Sequence, residues 1–502
     1  MSRIVAGLVV LCGAACDKAG ARGLTGRQLP AADVFVRAAG ADDPVAPQLL
    51  PAPPAMVPDG SEARPFTTLA AALAAAPAGA SLRIGEGVFR ERLIIRRPVV
   101  LLGRGAGRTR IVQPDTGGAT VQVLGTEHVE LYGLSIEDGD VCLEFAGGSG
   151  HHLQNVELRG CTDAGLVARG AGIDFISGAV REVGSGRSGR GIDLDGGSLS
   201  ARWLTLEAAG RRAVVLHGAR GVLADLDARG SSLSAVQATD GADVEVLRGN
   251  FAGCGGPALY AGGARLRVVG ARVHDDEYAV IGYRGAELTV EGGELTDYRV
   301  AGVAMVNSTG SLRGVTIARG GTESGVSITR ATRGTTVLLA DNRISAPGSM
   351  GVHVTESSVT LRGNSITGAR VDRERDLGDG VYALDSEVVL EENVLRGNGG
   401  SGIEALRSKV RLNGNSFIEN GRAGLLFLDR SWGSAIGNLF DRNVGAGVEV
   451  GEQARATLVQ NRFRDNVGLD IDTGCGEGLR GSADLGAENT FQAPIRERRC
   501  LE

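Results

Sequence analysis

A short phrase written four times limits what this chain can fold into. Gly380-Val381-Tyr382-Ala383-Leu384 returns as Gly402-Ile403-Glu404-Ala405-Leu406, as Gly424-Leu425-Leu426-Phe427-Leu428 and, shortened, as Gly447-Val448-Glu449-Val450. The steps are 22, 22 and 23 residues, and another 21 lead to Gly468-Leu469-Asp470-Ile471. A second beat falls between the glycines. Asn393, Asn415, Asn438 and Asn461 are each followed two residues later by Leu395, Phe417, Phe440 or Phe463. A fixed period in the low twenties with two short apolar runs per period is the mark of a solenoid.

Within each run apolar and polar positions alternate, as Val381 and Ala383 do around Tyr382. That is the period of a strand, not of a helix. Glycine and asparagine bound the runs and favour turns and left-handed backbone. A helical repeat needs ten or more unbroken residues, and the Leu-x-x-Leu-x-Leu frame of leucine-rich repeats is absent. The pattern predicts an all-β parallel β-helix whose coils stack at about 4.8 Å. Asn364, Asn393, Asn415, Asn438 and Asn461 then form a ladder of side-chain amides. Sugar or metal binding by these asparagines is the alternative.

The 502 residues include 79 glycines and carry a net charge of −6, with lysine only at Lys18 and Lys409. Nothing has the basic footprint of a nucleic-acid binder. Residues 1–16 read as an export signal: Arg3, an apolar Ile4–Leu11, then Gly13-Ala14-Ala15-Cys16. This resembles a bacterial lipoprotein signal, which implies lipidation of Cys16. An ordinary secretory signal with an incidental Cys16 is the alternative. Either predicts export, and the lipid would tie the chain to a cell-envelope membrane, in the periplasm or at the surface. Residues 17–60 read as a tether with a first strand at Asp33–Val36 and a Pro/Ala-rich loop. Residues 61–502 read as the solenoid.

The solenoid's start carries Pro65-Phe66-Thr67-Thr68-Leu69, then Gly79 to Ile84, Gly87-Val88-Phe89-Arg90-Glu91 and Leu102-Gly103. Thr67 or Thr68 is placed to cap a helix running to Ala76, with Phe66, Leu69, Leu73 and Ala76 on one side. This opening resembles that of the pectate-lyase-like superfamily, in particular pectin methylesterases and exported β-helix proteins of unknown function, with Phe89 in the usual tyrosine position. The resemblance spans roughly residues 33–491. It implies a right-handed parallel β-helix, with the helix covering its open end.

Taking the residue before each inward pair as an anchor gives Thr120, Asp140, Gly165, Gly191, Ala213, Ala235, Ala258, Ala279, Gly302, Gly325, Gly351, Gly380, Gly402, Gly424, Gly447 and Gly468. The longest step, from Gly351 to Gly380, holds a charged insertion, Asp372-Arg373-Glu374-Arg375-Asp376. Cys475 and Cys500 bracket the last coil, and in an exported chain a disulfide between them would staple it. Cys142 and Cys161 fall on adjacent coils. A disulfide and two buried free thiols are both open for them.

Two positions after each anchor the side chain faces outward. The stripe then reads His353, Tyr382, Glu404, Leu426, Glu449 and Asp470, with the insertion beside it. In pectate-lyase-like enzymes this strand face often forms the saccharide groove. A base such as Tyr382 or His353, with Glu404 and with Arg373 or Arg375 to neutralise a uronate, would suit β-elimination. A plain polar sheet face is the alternative. Asp275, Asp276 and Glu277 end one coil and Asp297 the next, which makes them a candidate calcium site or a set of solvated turns. No cofactor is otherwise required. His151-His152 is weak metal evidence. Asp174, in Gly172-Ile173-Asp174-Phe175-Ile176, superficially matches a pectin methylesterase motif whose other partners are missing. The Asp-Pro-His motif of epimerases, the Arg-x-Pro-x-x-Arg of pectate lyases and the paired aspartates of polygalacturonases are absent. The expectation is a saccharide- or protein-binding surface protein. The alternative is a lyase or hydrolase of acidic polysaccharide.

Overall fold

The computed structural model describes residues 34–38, 58–115, 117–184, 189–451, 453–473, 481–491 and the backbone of 497–498. The export signal, Cys16, most of the 17–60 segment and the Cys475–Cys500 pair lie outside the described residues. No helix of the described residues is long and apolar enough to cross a membrane.

Each coil contributes a strand to each of three parallel sheets. In the first sheet Leu93–Ile95 begins a stack that runs through Val381–Leu384, Ile403–Leu406 and Leu425–Leu428 to Ile471–Asp472 and beyond. In the second and third sheets strands such as Glu387–Glu391 and Val394–Arg396 pair with their equivalents one coil on, Lys409–Asn413 and Ser416–Ile418. Two nine-residue strands, Val129–Glu137 and His151–Arg159, run unbroken through both of these sheets. Inward residues such as Val381, Ala383, Leu390 and Leu395 fill one continuous core.

The corners explain where the chain turns. Between the second and third sheets one residue per coil takes left-handed backbone: Gly133, Asn155, Ser177, Trp203, Asp225, Arg248, and later Gly363, Glu392, Gly414, Gly437 and Gln460. The asparagine ladder begins one residue after this corner. It runs as expected from Asn364 to Asn461, each amide donating to the next Asn Oδ1 at 2.9–3.0 Å. It extends to Asn342 and Asn489. A second ladder, Asn398–Asn420–Asn443–Asn466, lines the corner after the third sheet. Phe417, Phe440, Phe463 and Phe491 stack inside at 4.9–5.1 Å between ring centroids.

The repeated glycines turn out not to be corner residues. Gly380, Gly402, Gly424 and Gly447 have no left-handed backbone. A Cβ on Gly402 would sit 2.6 Å from the Gly424 carbonyl oxygen and 2.6 Å from the Phe417 ring. They are glycine because coil and core approach too closely for a side chain.

The register confirms fourteen of the sixteen anchors and corrects two. Val121 pairs with Leu143, so the anchor is Cys142 rather than Asp140. Val448 pairs with Ile471, so the last is Asp470 rather than Gly468. A slip of two residues preserves which face each side chain takes, so alternation alone cannot detect it. Cys142 and Cys161 are joined by a disulfide, and Cys254 is a buried free thiol.

The opening behaves as its motif implies. Val34–Val36 pairs with Ala80–Ile84. The helix α1, Leu69–Ala75, has Thr68 as N-cap, its side chain accepting from the Ala71 amide. Glu91 adds a second cap: its carboxylate accepts from the Leu69 and Ala70 amides at 2.8 and 2.9 Å. Arg97 donates to the Leu73 and Ala74 carbonyls at the other end. Both charges suit the helix dipole.

Candidate functional site

His353, Tyr382 and Glu404 stand in consecutive register on the outward side of the first sheet, followed by Leu426, Glu449 and Asp472. Asp472, not Asp470, therefore completes the stripe. Asp470 is 1% exposed. The His353 and Tyr382 rings lie 5.7 Å apart and tilted by 45°. His353 Nε2 shares a 3.0 Å hydrogen bond with Thr355 Oγ1, and burial lowers its imidazole's affinity for a proton. Burial, and then the negative charge of Glu404, raise the Tyr382 phenol.

The face is not a flat, solvated one at Glu404, which is only 8% exposed. Burial pushes its carboxyl up to about 8, with the nearby Asp379 adding to the rise and Arg422 opposing it. Asp379 is 1% exposed, and burial lifts it to about 7. Asp379 Oδ1 accepts from the Ser401 amide at 2.6 Å, while Asp379 Oδ2 and Glu404 Oε2 have no hydrogen-bond partner. Burial thus raises both carboxyls into the neutral range, and the charge of Asp379 bears on Glu404. Titration of the pair is shared between them rather than owned by either.

The guanidinium at this site comes from an unexpected place. Arg375 pairs with Asp372 inside the insertion at 3.7 Å, and Arg373 points into solvent. Neither reaches the face. Arg422 does: its Nη1 lies 3.1 Å from Asp376 Oδ2 and 3.9 Å from Glu404 Oε2. It reaches across from the loop before Gly424, and Asp376 draws the insertion over to it. Asp376, Asp379 and Arg422 are the residues that sequence reasoning missed. Their one sequence signal is proximity to the anchors Gly380 and Gly424.

The acidic turns are spread apart. Asp297 is held by both guanidinium nitrogens of Arg319 at 2.8 and 2.6 Å, and Asp275 pairs with His274 at 2.6 Å. Asp276 turns inward to accept from the Cys254 amide at 2.6 Å. Burial pushes Asp276 up to about 6. Glu277 is half-buried on the following strand boundary. Among the described residues no group of three or more His, Cys, Asp or Glu is placed to hold a metal ion.

His152 and Asp174, distant in sequence, are neighbours in the second sheet, with Nδ1 and Oδ2 3.2 Å apart. Tyr132 donates to Glu130 beside them at 2.7 Å. His151 points the other way, against the Phe145 ring, its Nδ1 accepting from the Val129 amide. Among the described residues no set of ligands converges on both histidines as a metal site would require.

The architecture defines a parallel β-helix protein with a polar, partly buried outward stripe on its first sheet. Residues 351–484 match the family model described as a right-handed beta helix region, which covers the coils carrying the His353–Tyr382–Glu404 stripe. No curated protein matches the chain in sequence. Among solved structures it is similar to a chain of the Vag8–C1 inhibitor complex, at 14% identity over 83% of this chain and 99% of that one, with a TM-score of 0.52. It is also similar to an alginate lyase from Paenibacillus sp. str. FPU-7, at 14% identity over 51% of this chain and 95% of that one, with a TM-score of 0.37. For pectate lyase Pel9A the values are 12%, 61%, 75% and 0.32. Of these three, the chain of the Vag8–C1 inhibitor complex has a TM-score above 0.5, and at 14% identity its likeness speaks for the fold alone.

Proposed function

We propose that this is an exported, lipid-anchored β-helix protein that binds an acidic saccharide on the outward face of its first sheet. The observation that supports this is the composition of the Glu404 site. Two carboxyls raised by burial into the neutral range, a phenol and an imidazole lie along one stripe, with the Arg422 guanidinium 3.9 Å from Glu404. Protonated carboxyls donate hydrogen bonds and carry no repelling charge, so a uronate could approach the guanidinium. The stripe also repeats at the strand spacing of about 4.8 Å, which suits an extended polymer lying along the axis. Export and anchoring rest on the sequence of residues 1–16.

A second reading is a polysaccharide lyase or hydrolase, favoured by one feature. Asp379 and Glu404, at about 7 and about 8, are poised to exchange protons near neutral pH, as acid–base catalysis needs. One experiment addresses both. Polygalacturonate, alginate and neutral dextran are offered to the full chain, and retention is followed together with unsaturated-uronate absorbance and reducing ends. Retention of the acidic polymers without product, weakened by Arg422→Gln and by Tyr382→Phe, is the expected result. Product that disappears in Glu404→Gln would replace binding with catalysis. Failure to retain either acidic polymer would overturn the binding reading.

A further inference from the structure

The column formed by the first residues of the second-sheet strands alternates charge from Arg220 to Glu287. Asp243, Arg265 and Glu287 are successive register partners, and Arg265 reaches Asp243 at 3.7 Å and Glu287 at 3.1 Å. They line a groove of about 520 Å³ together with Arg220, and both of its carboxylates are paired with Arg265. Further along, the alternation resumes with Glu387 and Lys409, paired at 3.0 Å. Then it breaks. The next two residues in register are Trp432 and Arg455.

At that break a second groove, of about 560 Å³, is lined by Arg430, Trp432, Gly433, Gln453, Arg455 and Thr457. It holds an indole, two guanidiniums, an amide and a hydroxyl, and no carboxylate lines it among the described residues. Trp432 is 53% exposed. The Lys409 ammonium sits 5.0 Å from the centre of its ring, on the side of the preceding coil, and the groove opens toward the following coil. Arg430 is steadied by Gln453 at 3.3 Å. Arg455 has no side-chain hydrogen bond or ion pair among the described residues, whereas Arg265, Arg267 and Arg411 on the same sheet are each paired. An indole left this exposed offers a flat apolar face with a polar edge to a ligand. In a chain of net charge −6, the two guanidiniums of Arg430 and Arg455 on consecutive coils, with no carboxylate lining the groove among the described residues, form a local positive site.

We propose that this groove is a second binding site, for an anionic saccharide. A sugar's apolar ring face packs on the open side of the Trp432 indole, and its carboxylate or sulfate meets Arg455 and Arg430. The amide of Gln453 and the hydroxyl of Thr457 are placed for ring hydroxyls. The site lies on a different sheet from Glu404 and does not depend on it.

The test uses the full chain with Trp203→Phe, which leaves Trp432 as the one remaining indole of two. Its fluorescence is titrated with galacturonate oligomers, with sulfated dextran oligomers and with neutral dextran oligomers. Saturable change with at least one anionic series and none with neutral dextran is expected, and the tighter series identifies carboxylate or sulfate as the ligand group. Arg455→Gln is expected to weaken binding by about tenfold or more and to flatten its salt dependence. Calorimetry on Trp432→Ala is expected to show binding lost while the melting temperature is kept. Glu404→Gln is expected to leave this affinity unchanged, which separates the groove from the first-sheet site. No saturable change with either anionic series, parent-like affinity in both variants, or equal affinity for a single-stranded oligodeoxynucleotide would each overturn the proposal.

Discussion

At the scale of single residues the fold depends on polar groups buried in strict register. Asn415 shows how. Its amide donates to Asn438 Oδ1 and to the Leu390 carbonyl, while its own Oδ1 accepts from both the backbone and the side chain of Asn393. Replacing it with alanine removes the acceptor of the Asn393 backbone and side-chain amides and the donor to the Leu390 carbonyl, in a buried site. Asn415→Ala is expected to cost about 2–3 kcal/mol in denaturant unfolding. Glu404 and Asp379 lead to a pH effect. Both are raised above unfolded values of about 4. The folded state therefore binds their protons more tightly. Their stabilising contribution is complete below the unfolded values and is lost as pH rises through about 7 and about 8. The melting temperature should fall across that window, and Glu404→Gln should reduce the fall. A slope unchanged in that variant would place the titration elsewhere. The glutamate itself was legible in the sequence as an outward position. Its burial was not, because the insertion that brings Asp376 to Arg422 has no periodicity to read.

At the scale of the element, two kinds of glycine serve different needs. Gly414 sits at the corner between the second and third sheets with φ of +64°, and the nearest atom to a Cβ there is Glu392 Cγ at 3.8 Å. Space is available, so only backbone conformation is at stake. Gly414→Val is expected to destabilise by about 1–2 kcal/mol and Gly414→Asn by less, since asparagine tolerates left-handed backbone. Gly402, by contrast, has ordinary backbone but no room, with a carbonyl and a ring each 2.6 Å from a Cβ. Gly402→Ala should therefore cost more than Gly414→Ala when the two are compared by thermal unfolding. The sequence shows both as the same letter at the same period. Only the stacked coils distinguish a glycine needed for φ from one needed for contact.

At the scale of the molecule, each coil contacts its neighbours and little else, so coils should be removable as units. Deleting 403–424 joins Gly402 to Leu425, which already follows Ile403 in register. The asparagine ladder would then pass from Asn393 to Asn438 and the phenylalanine stack would lose one ring. The shortened chain is expected to fold with an unchanged strand signature in circular dichroism and a length reduced by about 4.8 Å in small-angle scattering. Loss of all strand signal would show that the stack is cooperative beyond nearest neighbours. The same deletion removes Glu404 and Arg422, so it should abolish binding at the first-sheet site; it also removes Lys409 and brings Glu387 into register with Trp432, so binding at that groove should weaken as well.

The sequence by itself determined the period, the strand character of each run, the stripe His353–Tyr382–Glu404 and the asparagine ladder. These all follow from local alternation and a fixed repeat, which one chain displays without reference to any other part. It also brought Cys142 and Cys161 to adjacent coils, where the structure shows them bonded. The tertiary structure alone decided which guanidinium meets Glu404, that His152 meets Asp174, and that the acidic turns at 275–277 and 297 take separate partners. Those outcomes depend on loop paths and on side chains reaching between coils. Periodicity fixes which residues share a face, but the choice of partner on that face is made by distances of a few ångströms that only the folded chain contains.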